Sequence, residues 1–203
     1  MPVGGKRQVI IVASALTLLS GTLTLLIYTE PIAARFWFAL AVTAAITSAI
    51  ALLTRRLLFS SILTFALVAL VGLCSLEKKA VMNMAFHSYD LFFYLNAATI
   101  EFIWEDYRSY LVGAVGSLAA ALIGAALAWR FDVVRLSRLT SALALIVAVV
   151  TAATLQPKAT AEGGAFRMFV QDGSYVSAFY LSWSDTWRTL ARGQLVEAAE
   201  RTA

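Results

Sequence analysis

Cysteine and histidine each occur once in this chain of 203 residues, as Cys74 and His87, and proline occurs three times. A single cysteine excludes an internal disulfide framework and any metal site built from several thiolates of one chain. Cys74, near the outer end of an apolar run, reads as a small apolar filler. Charge is also scarce: Asp, Glu, Lys and Arg make up 14% of the residues and cluster between long apolar runs. Those runs contain no Asp, Glu, Lys or His, and Arg35 and Arg138 lie near enough to run ends to snorkel. Ion pumping and proton relay need ionisable groups inside the membrane, and a transporter needs broken helices or polar sites at mid-depth; neither pattern is present. The net charge of +4 does not indicate nucleic acid, because no basic patch with interleaved aromatics and no nucleic-acid motif accompanies it.

What the chain has in abundance is apolar surface. The apolar share is 61% and the mean hydropathy +0.80, against roughly 45–50% apolar residues in soluble domains. The sequence therefore reads as an all-α polytopic membrane protein. Five stretches, about 9–29, 32–53, 57–76, 109–129 and 137–156, are long enough to cross a ~30 Å hydrocarbon core as helices. They make residues 1–156 a five-helix transmembrane bundle and 157–203 an extracytoplasmic linker with juxtamembrane helices. The first stretch is longer than a signal-peptide core and lacks a convincing cleavage site, so it reads as a retained helix. Pro31 and Pro157 mark helix ends. Lys6, Arg7, Arg55, Arg56, Arg130, Arg135 and Arg138 fall on one side of such a bundle, with Arg35, Lys78, Lys79 and Arg108 on the other. The positive-inside rule then puts the N-terminus in the cytoplasm and the C-terminus outside a bacterial inner membrane.

On the outer side, residues 87–111 read HSYDLFFYLNAATIEFIWEDYRSYL. Polar residues interrupt this stretch too often for a crossing helix, and its aromatics favour the headgroup layer. It is expected to form an interfacial amphipathic helix over about 89–107, with Ser88 or Asp90 as N-cap. His87, with Asp90, Glu101, Glu105 and Asp106 nearby in sequence, could share a metal or act in acid–base chemistry, but a lone histidine more often serves as a hydrogen-bonding residue. In the tail, 157–167 has linker composition, and 174–192 carries Phe179, Trp183 and Trp187 in one helical stripe. That stripe is either an interfacial belt or, with Arg188, a docking surface for a following domain or a lipid. Residues 195–203 form a short helical piece that reads like a truncation. Small residues at Gly116, Ala120, Gly124 and Ala128 permit close helix approach, within the bundle or as a homodimer seam through Gly116, Ala120 and Gly124.

The five spans, the outward segment opening Ser88-Tyr89-Asp90-Leu91, and the outward helix Tyr175–Gln194 together resemble the membrane half of lipoteichoic acid synthase-like enzymes. These phosphoglycerol and phosphoethanolamine transferases belong to the alkaline phosphatase/sulfatase superfamily. The resemblance implies a membrane anchor that presents a phospholipid donor to an extracytoplasmic hydrolase-like domain, supplied in cis or in trans. That domain, with its threonine nucleophile and divalent metal, has no counterpart here: no residue matches the catalytic threonine or the metal ligands, so neither catalytic residues nor a cofactor are expected in this chain. Lys78, Lys79 and Arg108 are the cations expected to meet a lipid phosphate, with Trp104 and Tyr107 packing glycerol or acyl atoms. The alternative is a non-enzymatic accessory protein that binds a partner through its aromatic outer face.

Overall fold

The computed structural model describes residues 3–93, 101, 104–105, 108–156 and 174–191. Its helices are α1 (Val3–Thr29), α2 (Ala33–Thr54), α3 (Leu57–Met82), α4 (Ser88–Phe93), α5 (Arg108–Phe131), α6 (Arg138–Leu155) and α7 (Val176–Ala191). Among the described residues there is no strand, and the bridge between Arg56 and Arg135 is isolated. Four helices, α1, α2, α3 and α6, are long and apolar enough to cross a membrane; in α5 the apolar helical stretch is the shorter Val115–Phe131.

Helix is what such runs must form in lipid, because every backbone N–H and C=O needs a partner within its own segment. The few hydroxyls follow the same rule: Thr17, Thr22, Thr24 and Thr29 each donate to the carbonyl four residues back, at 2.8–3.0 Å. α3 lies centrally, packed on α1, α2 and α5, while α6 lies along α2. Thr47 of α2 donates to Thr64 of α3 at 3.0 Å, a polar link between two apolar helices. α1 approaches α3 closely at Gly21, where an added Cβ meets the Phe65 ring at 3.0 Å. The buried core joins Leu26, Ala39, Val68 and Val71 to Val176 and Phe179 of α7, so α7 closes one end of the bundle.

Several local expectations change. α3 runs on to Met82 instead of ending near 76, since Glu77, Lys78, Lys79 and Ala80 are good helix formers. Asn83 stops it in the left-handed region (φ 55°), and its N–H bonds the Lys79 carbonyl. Lys78 and Lys79 therefore stand on the last turns of a helix and not in a loop. Pro31 lies outside α2, which begins at Ala33 after an extended Ile32. Of the interfacial helix expected at 89–107, α4 occupies 88–93 and Glu101, Trp104 and Glu105 are helical and exposed. Residues 94–100, 102–103 and 106–107 lie outside the described residues. The small-residue face of α5 is open within the chain: a Cβ at Gly113, Gly116 or Gly124 meets nothing within 4 Å, and Ala120 is exposed. Among the described side chains of α5 the buried ones are Ala125 and Ala128, toward its other end.

At that end the α2–α3 and α5–α6 turns are clipped together. Arg55 takes the left-handed conformation (φ 58°), and Leu136 N–H donates to its carbonyl at 3.0 Å. The Arg56 guanidinium donates to the carbonyls of Trp129 and Asp132 and lies 4.7 Å from the Trp129 ring centroid. The buried Asp132 carboxylate accepts from Leu58 N–H at 2.8 Å and, more weakly, from Phe59 N–H at 3.4 Å, capping α3 from another turn of the chain.

Candidate functional site at the α4–α7 end

The opposite end of the bundle is covered by α7, and the residue that fixes it is Glu30 in the α1–α2 turn. Its carboxylate, 3% exposed, accepts from the backbone N–H groups of Tyr175, Val176 and Ser177 at 3.0, 2.7 and 3.0 Å. The Ser177 hydroxyl donates to the second oxygen at 2.5 Å. A helix N-terminus leaves four N–H groups without intrahelical partners and carries partial positive charge, so a carboxylate there satisfies both needs. The cap comes from 145 residues away in sequence, which makes it a tertiary fastening.

α4 is held against α7 by a second set of polar contacts. Ser88 N–H donates to the Ser182 hydroxyl at 2.9 Å. The Ser88 and Thr186 hydroxyls are 2.6 Å apart, and the Ser182 hydroxyl also lies 2.7 Å from the Phe179 carbonyl. All three hydroxyl residues are fully buried. Their described partners are one another and main-chain groups, an arrangement that orders two helices and leaves no hydroxyl activated by a base. Asp90 bonds Lys78 through both oxygens, at 2.7 and 2.8 Å. It also reaches back to the His87 N–H at 2.6 Å, the reciprocal half of a capping box. The helix thus starts after His87, with Ser88 serving the contact to α7 and Asp90 acting from the third helical position.

His87 is buried beside this ion pair. Burial pushes its imidazole down to about 4, with the Lys78 ammonium adding to the shift and Asp90 opposing it. Tyr180, whose hydroxyl lies 3.2 Å from Thr43 Oγ1, is pushed up to about 12, chiefly by burial. Both are uncharged at neutral pH.

The residues expected at the site fall into separate places. Lys78 is engaged by Asp90. Lys79 lies 5.3 Å from the centroid of Tyr175, next to the Glu30 cap. Arg108 lies 5.0 Å from the ring of the exposed Trp104. Tyr107 is outside the described residues, as is the side chain of Arg188. The aromatic stripe divides: Phe179 is in the core, stacked on Phe86 at 5.6 Å. Trp183 meets it edge-on and is 38% exposed, and Trp187 is 72% exposed. Among the described residues no group of three or more His, Cys, Asp or Glu side chains is placed to hold a metal ion. Glu30, Ser182 and Thr186 were not singled out by the sequence. Their two legible signs are a carboxylate isolated in the turn between two apolar runs and a pair of hydroxyls at i and i+4.

Compared with protein-family models, curated proteins and solved structures, the chain matches none. Fold and chemistry therefore stand on the residues themselves: a multi-pass helical membrane protein with an aromatic helix fastened across one end of its bundle.

Proposed function

We propose that this chain is the membrane module of an envelope phosphoglycerol or phosphoethanolamine transferase, holding phospholipid for an extracytoplasmic hydrolase-like domain. The observation that carries the reading is the fastening of α7. A segment with Trp183 and Trp187 on its outer side is bound to the bundle by a buried carboxylate and a hydroxyl ladder, so its rings are offered in a fixed orientation. A fixed aromatic helix at the membrane edge suits both tasks of such a module, seating a water-exposed domain and guiding a lipid head group toward it.

In this reading the bundle crosses the bacterial cytoplasmic membrane five times, with the N-terminus inside. α5 makes the fifth crossing: its 24 residues span about 36 Å at 1.5 Å per residue. Lys79, Trp104 and Arg108 supply the outer-leaflet contacts to phosphate and glycerol. Lys78 serves indirectly, by holding Asp90 and hence the start of α4. The divalent metal and the nucleophile belong to the hydrolase-like domain.

The test uses the native protein in its own membranes. Arg108→Ala and Trp187→Ala are each expected to lower turnover of labelled phospholipid several-fold while the protein inserts normally. Unchanged turnover in both variants overturns lipid presentation and leaves a non-enzymatic accessory protein that docks a partner on Trp187. Orientation is read separately, by labelling Gly5→Cys in a Cys74→Ala background with a membrane-impermeant maleimide; labelling in intact cells overturns the cytoplasmic N-terminus.

A further inference from the structure

At the Arg55–Asp132 end, two short turns bring five arginines together: Arg55 and Arg56 from one, Arg130, Arg135 and Arg138 from the other. The positive-inside rule asks only that these charges lie on one side; it does not ask that the turns be joined. Here they are joined, by the bridge between Arg56 and Arg135 and by the bond from Leu136 N–H to the Arg55 carbonyl. The single acid in the two turns, Asp132, is buried with its carboxylate turned to the α3 amides. It therefore leaves the guanidinium groups largely uncompensated. Arg56 is committed to the Trp129 and Asp132 carbonyls and Arg55 to that of Leu136 at 3.4 Å. Arg130, Arg135 and Arg138 are exposed, and among the described residues their side chains make no ion pair.

The same turn exposes large apolar side chains between its arginines. Phe131 is 62% and Val133 49% exposed, and Leu139 stands out from the first turn of α6. A loop in water would not alternate arginine with exposed phenylalanine and valine, whereas a loop seated at the headgroup layer does so naturally: apolar groups enter the acyl region and guanidinium groups stay at the phosphates. Arginine suits that position because its planar fork donates two parallel hydrogen bonds to one phosphodiester.

We propose that Arg130, Arg135 and Arg138 form a binding site for the head group of an anionic phospholipid of the inner leaflet, with Phe131 and Val133 against its acyl chains. This rests on the cytoplasmic N-terminus proposed above, and on nothing else in that function. The lipid would sit across the joined turns and stabilise their union, as basic pockets between crossing helices do.

The experiment measures phosphatidylglycerol retained by the purified full chain, by native mass spectrometry from detergent micelles carrying equal phosphatidylglycerol and phosphatidylcholine. The intact chain is expected to retain phosphatidylglycerol selectively. Retention should fall about tenfold or more in Arg130→Ala/Arg135→Ala/Arg138→Ala and recover only in part in the corresponding triple lysine variant, with the helix content unchanged in both. Equal retention of the two lipids, or undiminished retention by the alanine variant, overturns the proposal. If inorganic phosphate displaces the lipid, the site is one for soluble anions, and the proposal again fails. Lipid turnover is not read here, so failure of the transferase reading leaves this result standing. Maleimide labelling of Gly5→Cys shows separately whether the leaflet is wrong.

Discussion

Glu30 and Asp132 are both 3% exposed carboxylates in turns between long helices, and each caps a helix that starts far away in sequence. What they hold differs. Asp132 caps α3, a crossing helix already packed on α1, α2 and α5. Glu30 caps α7, whose composition does not carry it across the membrane and whose described attachments are the cap, the hydroxyl ladder, the Tyr180–Thr43 contact and an apolar face. A helix that lipid would keep in place anyway needs a cap only for local order. One that would otherwise leave for water depends on its cap for its position. The α4–α7 end of the bundle is therefore assembled by polar fastenings, and the Arg55–Asp132 end by long apolar helices that a membrane would already align.

The sharpest way to break this contrast is to remove both caps in turn. Glu30→Ala leaves the buried amides of Val176 and Ser177 without their acceptor, while Tyr175 N–H keeps the Thr29 carbonyl, and should cost about 3 kcal/mol of α7 docking. Amide exchange across 176–191 should rise while that of α1–α3 stays slow; uniform exchange would erase the distinction. Asp132→Ala should cost less, about 1–2 kcal/mol, seen as a lower melting temperature in detergent with α7 exchange unchanged.

Two helix contacts sharpen it further. Gly21→Val forces a branched side chain against Phe65 and should cost about 1–3 kcal/mol, whereas Gly116→Val enters open space and should leave the melting temperature of the monomer unchanged. An equal loss in both would mean that α5 packs as tightly as α1. Between α4 and α7, Ser88→Ala removes the hydroxyl shared with Thr186 and should cost about 1 kcal/mol, read as faster exchange in α7.

Acid should also act on the α4–α7 end. His87 is held near 4 in the folded chain against an ordinary value of 6.5, so below that ordinary value the unfolded state binds a proton that the folded state refuses. Stability should be constant above about pH 6.5, fall as the pH drops toward 4, and level off beneath it. The fall should be confined to the α4–α7 end, and His87→Gln should flatten it. The same slope in the variant would assign the acid sensitivity to the carboxylates.

How much of this was legible beforehand follows the range of each interaction. Hydropathy over about 20 residues identifies a crossing helix, because burial in lipid is decided segment by segment; α1, α2, α3 and α6 were readable for that reason. The end of α3 was missed because helix propensity and the Asn83 cap, not hydropathy, determine where it stops. The aromatic stripe of 174–192 was visible as a period of four, yet nothing in that period told that Phe179 would stack on Phe86 while Trp187 faces outward.

By itself the sequence determined the class of the protein and its long apolar helical runs, since each is a property of composition along one segment. Only the tertiary structure decided that Glu30 would hold α7, that Lys78 would be engaged by Asp90, and that two arginine-bearing turns would meet. Those outcomes depend on contacts between residues from 12 to more than a hundred positions apart, and such contacts leave no periodic trace in the chain.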